Sequence, residues 1–126
     1  MLRYMRFPAA VLIAIGGYTH YDLLDIYPRG LPGRIHDQFL ANVVVSAIVV
    51  IALLVTNHIV ARLAGLALAA GSLVAFALSR GPGLFGFKEK GWEPSPHAAW
   101  AVFTEIGVVV LLGISIAVER RKTAPS

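Results

Sequence analysis

The chain contains no cysteine. That excludes disulfides, thiolate metal sites and thiol redox pairs, while the compartment stays unread from the absence alone. Charge is the second scarcity. Only 14% of the 126 residues are charged, against about 25% in soluble domains. The net charge of +4 comes from residues at helix ends and in loops, not from a basic stripe, so nucleic-acid binding has no electrostatic footprint. Those positive charges suit membrane topology and headgroup contact. Catalytic and ligand motifs are missing as well. No His-x-x-x-His or Glu-x-x-His spacing, no Ser/His/Asp set and no glycine-rich phosphate loop occurs. Nothing in the sequence therefore points to an enzyme, although an acid–base pair acting on lipid is not tied to any such motif.

Apolar residues are plentiful, at 57%, and the mean hydropathy is strongly positive. A soluble chain this apolar would lack the polar surface to cover its core. The runs are also unbroken. They lack the alternation of a barrel strand, and in lipid only helices or closed barrels satisfy the backbone. The expected fold is all-α: a four-helix transmembrane bundle forming one integral membrane domain over 1–126, with both termini on the same side.

The first span is expected at 4–24, about 21 residues, enough to cross a ~30 Å hydrocarbon core. A basic start before a short apolar stretch also resembles a signal peptide, but no small-x-small cleavage site follows Tyr18-Thr19-His20-Tyr21-Asp22. Two prolines and two glycines between Tyr27 and Arg34 make a loop. The second span is expected at 35–55. Thr56-Asn57-His58 is a tight connection with Asn57 as N-cap, and the third span follows at 59–79. There Ala67, Gly71, Ala75 and Ser79 recur every four residues, a small-residue stripe that lets a neighbouring helix of the bundle come close. The loop 80–94 places Phe85, Phe87 and Trp92 among glycines and lysines, a composition suited to the headgroup region. Ser95 as cap and Pro96 at the first helical position give a start signal for the fourth helix, whose span is expected at 97–118. A short polar tail is expected at 123–126.

Both termini then share a side with Arg3, Arg6, Arg62, Arg120, Arg121 and Lys122, six positive charges. Arg29, Arg34, Arg80, Lys88 and Lys90 make five on the other. The basic clusters at the ends of the first and last spans place both termini in the cytoplasm, for a multi-pass protein of the cell membrane.

Polar residues gather at the opposite end. Asp22, Asp25, Asp37, Glu89 and Glu93 fall on the loop side, as do His20, His36 and His97. His58 and Glu119 stand at the other surface. Within the fourth span Glu105 sits about 4–5 Å from the midplane by helical rise. A charge there costs at least about 2.5–3.5 kcal/mol on insertion scales, so it calls for a partner or a purpose. Gln38, Asn42 and Ser46 are spaced by four and share one helix face, with Asn42 at the depth of Glu105. The expected site is a polar funnel descending from the loop surface to Glu105, lined by helices one, two and four, with His20 near its mouth.

Three readings follow. In the first, Glu105, Asn42, Gln38, Ser46 and His20 form a packing or assembly site in a membrane-embedded scaffold or partner subunit. In the second, Glu105 accepts a proton or cation in a transport component, with His20 as its relay. In the third, His20, His36 and His97, with Asp22, Asp25 or Asp37, bind a metal or a haem. Fitting partners are the lipid bilayer, further copies of the chain or a larger membrane complex. The order of spans, with Gly-Leu-Phe-Gly-Phe at 83–87 before the last helix and Glu105-Ile106 within it, resembles small uncharacterised four-span membrane proteins of high-GC bacteria. That resemblance implies the four-span fold and no activity.

Overall fold

A computed structural model of the protein describes residues 2–123. A short 3-10 turn, Leu2–Tyr4, precedes α1 (Arg6–Ile26). A second 3-10 turn, Pro32–Arg34, leads into α2 (Ile35–Val55), which is followed by α3 (Ile59–Arg80) and α4 (His97–Thr123). The all-α expectation holds. The β-pairing among the described residues is one isolated bridge between Leu84 and Phe87, in the loop before α4. The expected tail, beyond Thr123, lies outside the described residues.

Three of the helices, α2, α3 and α4, are long and apolar enough to cross a membrane. The remaining expected span, the first, is α1, which has the length but not the apolarity. Its second half carries Tyr18, Thr19, His20, Tyr21, Asp22 and Asp25. It is nonetheless deeply packed: Ala9, Ala10, Ile13, Gly16, Gly17, Thr19, His20 and Leu23 are buried, because α1 lies against both α2 and α4. The surroundings of α1 are thus supplied by protein on one face, and its inner residues are small. A Cβ added at Gly17 would stand 2.9 Å from the Cβ of Ser46, so the backbones of α1 and α2 approach more closely there than any side chain allows.

The cap of α3 differs from expectation. It is His58, not Asn57: its Nδ1 accepts from the Val60 N–H at 3.1 Å. Thr56 Oγ1 in turn accepts the N–H of His58 at 3.1 Å, which fixes the turn. Asn57 is engaged differently, its carbonyl accepting from Arg62 Nε at 3.1 Å. α4 begins at His97, one residue after Pro96. At its far end it runs five residues past the expected 118 and carries Arg120, Arg121 and Lys122 in its last turn, where cations complement the helix dipole.

Packing is concentrated in two clusters. Ala9, Ala10, Ile13, Val49, Leu53, Ala61, Ala69, Val108 and Leu112 join all four helices towards one end. The small residues that allow this on α3 are Ala61, Gly65 and Ala69, a line of spacing four that is buried throughout. Below it the Arg62 guanidinium, 2% exposed, is tied to Ser115 Oγ at 3.0 Å, to the Asn57 carbonyl, and by an ion pair to Glu119. At the other end Leu23, Tyr27, Ile35, Leu84 and Phe87 form a second cluster, which folds the loop before α4 over the helix ends. Gly33 makes that fold-over feasible. Its φ of +70° suits glycine, and a Cβ there would meet the Leu84 carbonyl at 2.5 Å.

Candidate functional site

Between the two clusters lies a chamber of about 400 Å³ whose wall takes residues from every helix and from the loop before α4. Glu105 stands at its inner end and Arg80 at its outer end, with a mostly apolar wall between them. The expected funnel ran along helices one, two and four; in the structure α3 supplies a large part of the wall. The stripe of Ala67, Gly71, Ala75 and Ser79 lines the chamber instead of receiving a neighbouring helix. A Cβ added at Gly71 would meet nothing within 4 Å. Small side chains here leave space where large ones would have filled it.

Glu105 projects from α4 into this wall and is 7% exposed. Among the described residues its hydrogen-bond partner is the hydroxyl of Ser72 on α3. Ser72 Oγ also accepts from Asn42 Nδ2 at 3.0 Å, and Asn42 Oδ1 accepts from Ser46 Oγ at 3.1 Å. The four side chains form one relay, Ser46–Asn42–Ser72–Glu105, that ties α2, α3 and α4 together. Asn42 and Ser46 are thus joined to Glu105, through a serine that sequence reasoning passed over. A serine in an apolar helix carries little signal, because its hydroxyl is satisfied equally well by its own helix's carbonyls. Beside the relay a second space of about 20 Å³, bordered by Gly16, Asn42, Ser46, Ser72, Thr104 and Glu105, is large enough for one water. Beyond it the route is closed by Ile13, Ala69 and Val108 of the apolar cluster.

His20 also lines the chamber and is 8% exposed. Its Nδ1 donates to the Gly16 carbonyl at 2.7 Å and its ring meets Phe39 edge-on at 5.4 Å. That assignment leaves Nε2 as the nitrogen available to an occupant of the chamber. Gln38 faces the chamber too, but its amide donates to the Gly33 carbonyl at 2.6 Å and braces the turn before α2.

The remaining candidates for a metal or haem are dispersed. His36 Nδ1 donates to the Tyr27 carbonyl at 2.9 Å. His97 Nε2 lies 3.7 Å from Asp22 Oδ2. Asp37 pairs with Arg29 at 2.9 Å and Arg34 at 3.0 Å, and Asp25 is exposed. Among the described residues no three His, Asp or Glu side chains gather where they would hold a metal ion. His20 is the one histidine in the chamber wall, so no pair of histidines faces a common haem.

The loop end of the chamber is shut by a pinned lid. Tyr27 donates its hydroxyl to Glu89 Oε2 at 2.6 Å. Burial, and then the Glu89 carboxylate, push the Tyr27 hydroxyl well above its ordinary value; the Tyr27 hydrogen bond holds the Glu89 carboxyl below the usual carboxylate range. Arg80 donates to the carbonyls of Gly91 (2.9 Å) and Glu93 and to Ser79 Oγ (2.7 Å), with its guanidinium 4.0 Å above the Phe76 ring. Of the residues lining the chamber, those exposed are Ala41, Val45, Ala67 and Gly71. They form a rim on α2 and α3, set inward from the loop-side ends of both helices. The chain matches no family model, no curated protein and no solved structure, so its function is read from this site alone.

Proposed function

We propose that the protein is a four-span membrane protein, its termini together on the cytoplasmic side of the cell membrane, whose chamber binds an apolar molecule carrying a positive group, with Glu105 as the counter-charge. The observation that carries this reading is the pairing of a 400 Å³ apolar-walled space with a buried carboxyl whose hydrogen-bond partner among the described residues is the Ser72 hydroxyl. One hydroxyl compensates a charge at membrane depth poorly. The cation in the same wall, Arg80, sits at the far end and is engaged by the loop carbonyls. A cationic ligand supplies the missing charge and fills the apolar volume in one step. His20 turns its Nε2, left uncommitted by the Nδ1 bond, to the same chamber. The apolar cluster beyond Glu105 favours binding from one side over an open path through the protein.

Equilibrium binding of tetraphenylphosphonium to the protein in detergent micelles tests the reading. Glu105→Gln keeps an oxygen for the Ser72 hydroxyl and removes the charge. The variant is expected to fold and to bind at least about tenfold more weakly, which is 1.4 kcal/mol. Equal binding by wild type and variant refutes the cation site. A second reading is favoured by the Ser46–Asn42–Ser72–Glu105 relay, which joins three helices: a packing and assembly knot in a membrane scaffold. In that case Glu105→Gln changes subunit assembly on native gels and leaves cation binding unaltered.

A further inference from the structure

We infer that the ligand reaches Glu105 sideways from the bilayer, through a window between α2 and α3, and that it is a cation with a delocalised or shielded charge, not a small ammonium ion. This rests on the reading of the chamber as a cation site. The exposed part of the chamber's lining is not at the loop. Tyr27, Leu84 and Phe87 at that end are buried, and the lid is pinned by the Tyr27–Glu89 bond and by Arg80 on the Gly91 and Glu93 carbonyls. The exposed lining residues are Ala41 and Val45 on α2 with Ala67 and Gly71 on α3.

Depth follows from helical rise. Gly71 lies nine residues, about 13 Å, inward from Arg80 at the end of α3, and Ala67 about 20 Å inward. Both therefore stand in the hydrocarbon layer if α3 spans it. Val44, Ile48 and Val74, on the turns beside the rim, are more than half exposed, as lipid-facing positions are. The level of the interface is marked by exposed Trp92, Trp100 and Phe103 near the loop end, where aromatic rings are favoured. The window thus opens below the headgroups. A molecule arriving there must already be dissolved in hydrocarbon. A compact ammonium is too strongly hydrated for that, whereas a charge spread over or screened by apolar groups loses much less on leaving water.

The test is the association rate of tetraphenylphosphonium with the protein in phosphatidylcholine vesicles, followed by stopped-flow tryptophan fluorescence. Gly71→Leu narrows the window at a position with free space around it. It is expected to slow association about tenfold or more while Kd moves less than about threefold, since a blocked entry changes both rates together. Ala67→Leu, on the same rim, is the second variant and is expected to slow entry likewise. Tyr27→Phe, which removes one of the lid's ties, should leave the rate unchanged. Association at the wild-type rate in both rim variants, or acceleration by Tyr27→Phe, overturns lateral entry and leaves the cation site standing. Absence of any Glu105-dependent binding in the wild type overturns both. Competition by tetramethylammonium as strong as by tetraphenylphosphonium overturns the assignment of ligand class.

Discussion

Gly65 and Gly71 sit on the same helix six residues apart, and the structure gives them opposite surroundings. A Cβ at Gly65 would stand 2.8 Å from Leu112 Cδ1, 3.3 Å from Ile13 Cδ1 and 3.4 Å from Val49 Cγ1. Those three neighbours are 0–4% exposed, so none has room to withdraw. At Gly71 nothing lies within 4 Å. Replacing either glycine by leucine removes the same helix-propensity penalty, about 0.5–1 kcal/mol in favour of the variant. That contribution cancels when the two variants are compared. The difference is then the over-packing cost at Gly65 alone, about 1–3 kcal/mol. Gly71→Leu is expected to match or exceed wild-type stability and Gly65→Leu to fall below it. Unfolding by SDS in mixed micelles, followed by the fluorescence of Trp92 and Trp100, measures both. Equal losses in the two variants would mean that α2 and α3 close on each other at Gly71, and the chamber would not exist.

Three further outcomes can be checked in the same system. Ser72→Ala cuts the relay at its centre and removes two hydrogen bonds between apolar helices, a loss of about 1 kcal/mol at the ~0.6 kcal/mol typical of such bonds in membranes; no loss would show that the relay contributes nothing to stability. Arg62→Met strands the Ser115 hydroxyl, which is 1% exposed, and should destabilise by about 1–3 kcal/mol. Glu119→Gln should cost less, because that side chain is 46% exposed and the amide oxygen still accepts from Arg62; the reverse order would refute the geometry. The lid bond predicts a pH dependence with a defined sign. Glu89 is held below its ordinary 4.5, so its contribution is complete above 4.5 and is lost as pH falls through the lowered value. Tyr27 is raised above its ordinary 10.0, so its contribution is complete below 10.0 and is lost as pH rises through the raised value. Tyr27→Phe should flatten both limbs of the stability–pH curve, and unchanged limbs would dismiss the bond as a source of stability.

Much of this was legible in the sequence. The apolar runs dictated helices, because no other backbone arrangement suits stretches of that length and composition, and the glycine–proline breaks separated them. Glu105 announced itself by its cost, and Asn42 and Ser46 by their spacing on one face. The chain's order of elements also put the loop-side histidines near one another in height, though not in contact: His36 and Asp37 were drawn to local partners at the turn, and His97 to Asp22.

Three features were settled only by the tertiary arrangement. Ser72 became the partner of Glu105 because α3 is turned to face α2 and α4 there, and rotation about a helix axis is poorly encoded in a segment that is apolar all round. Tyr27, Glu89 and Arg80 became a lid because the loop before α4 folds back over the helix ends, which depends on long-range contact at Gly33. The small residues of α3 divided into two lines, Ala61, Gly65 and Ala69 against the core and Ala67, Gly71, Ala75 and Ser79 against the chamber. In sequence these lines read alike, since a small side chain permits either close approach or empty space. Which of the two it gives is decided by the neighbouring helix.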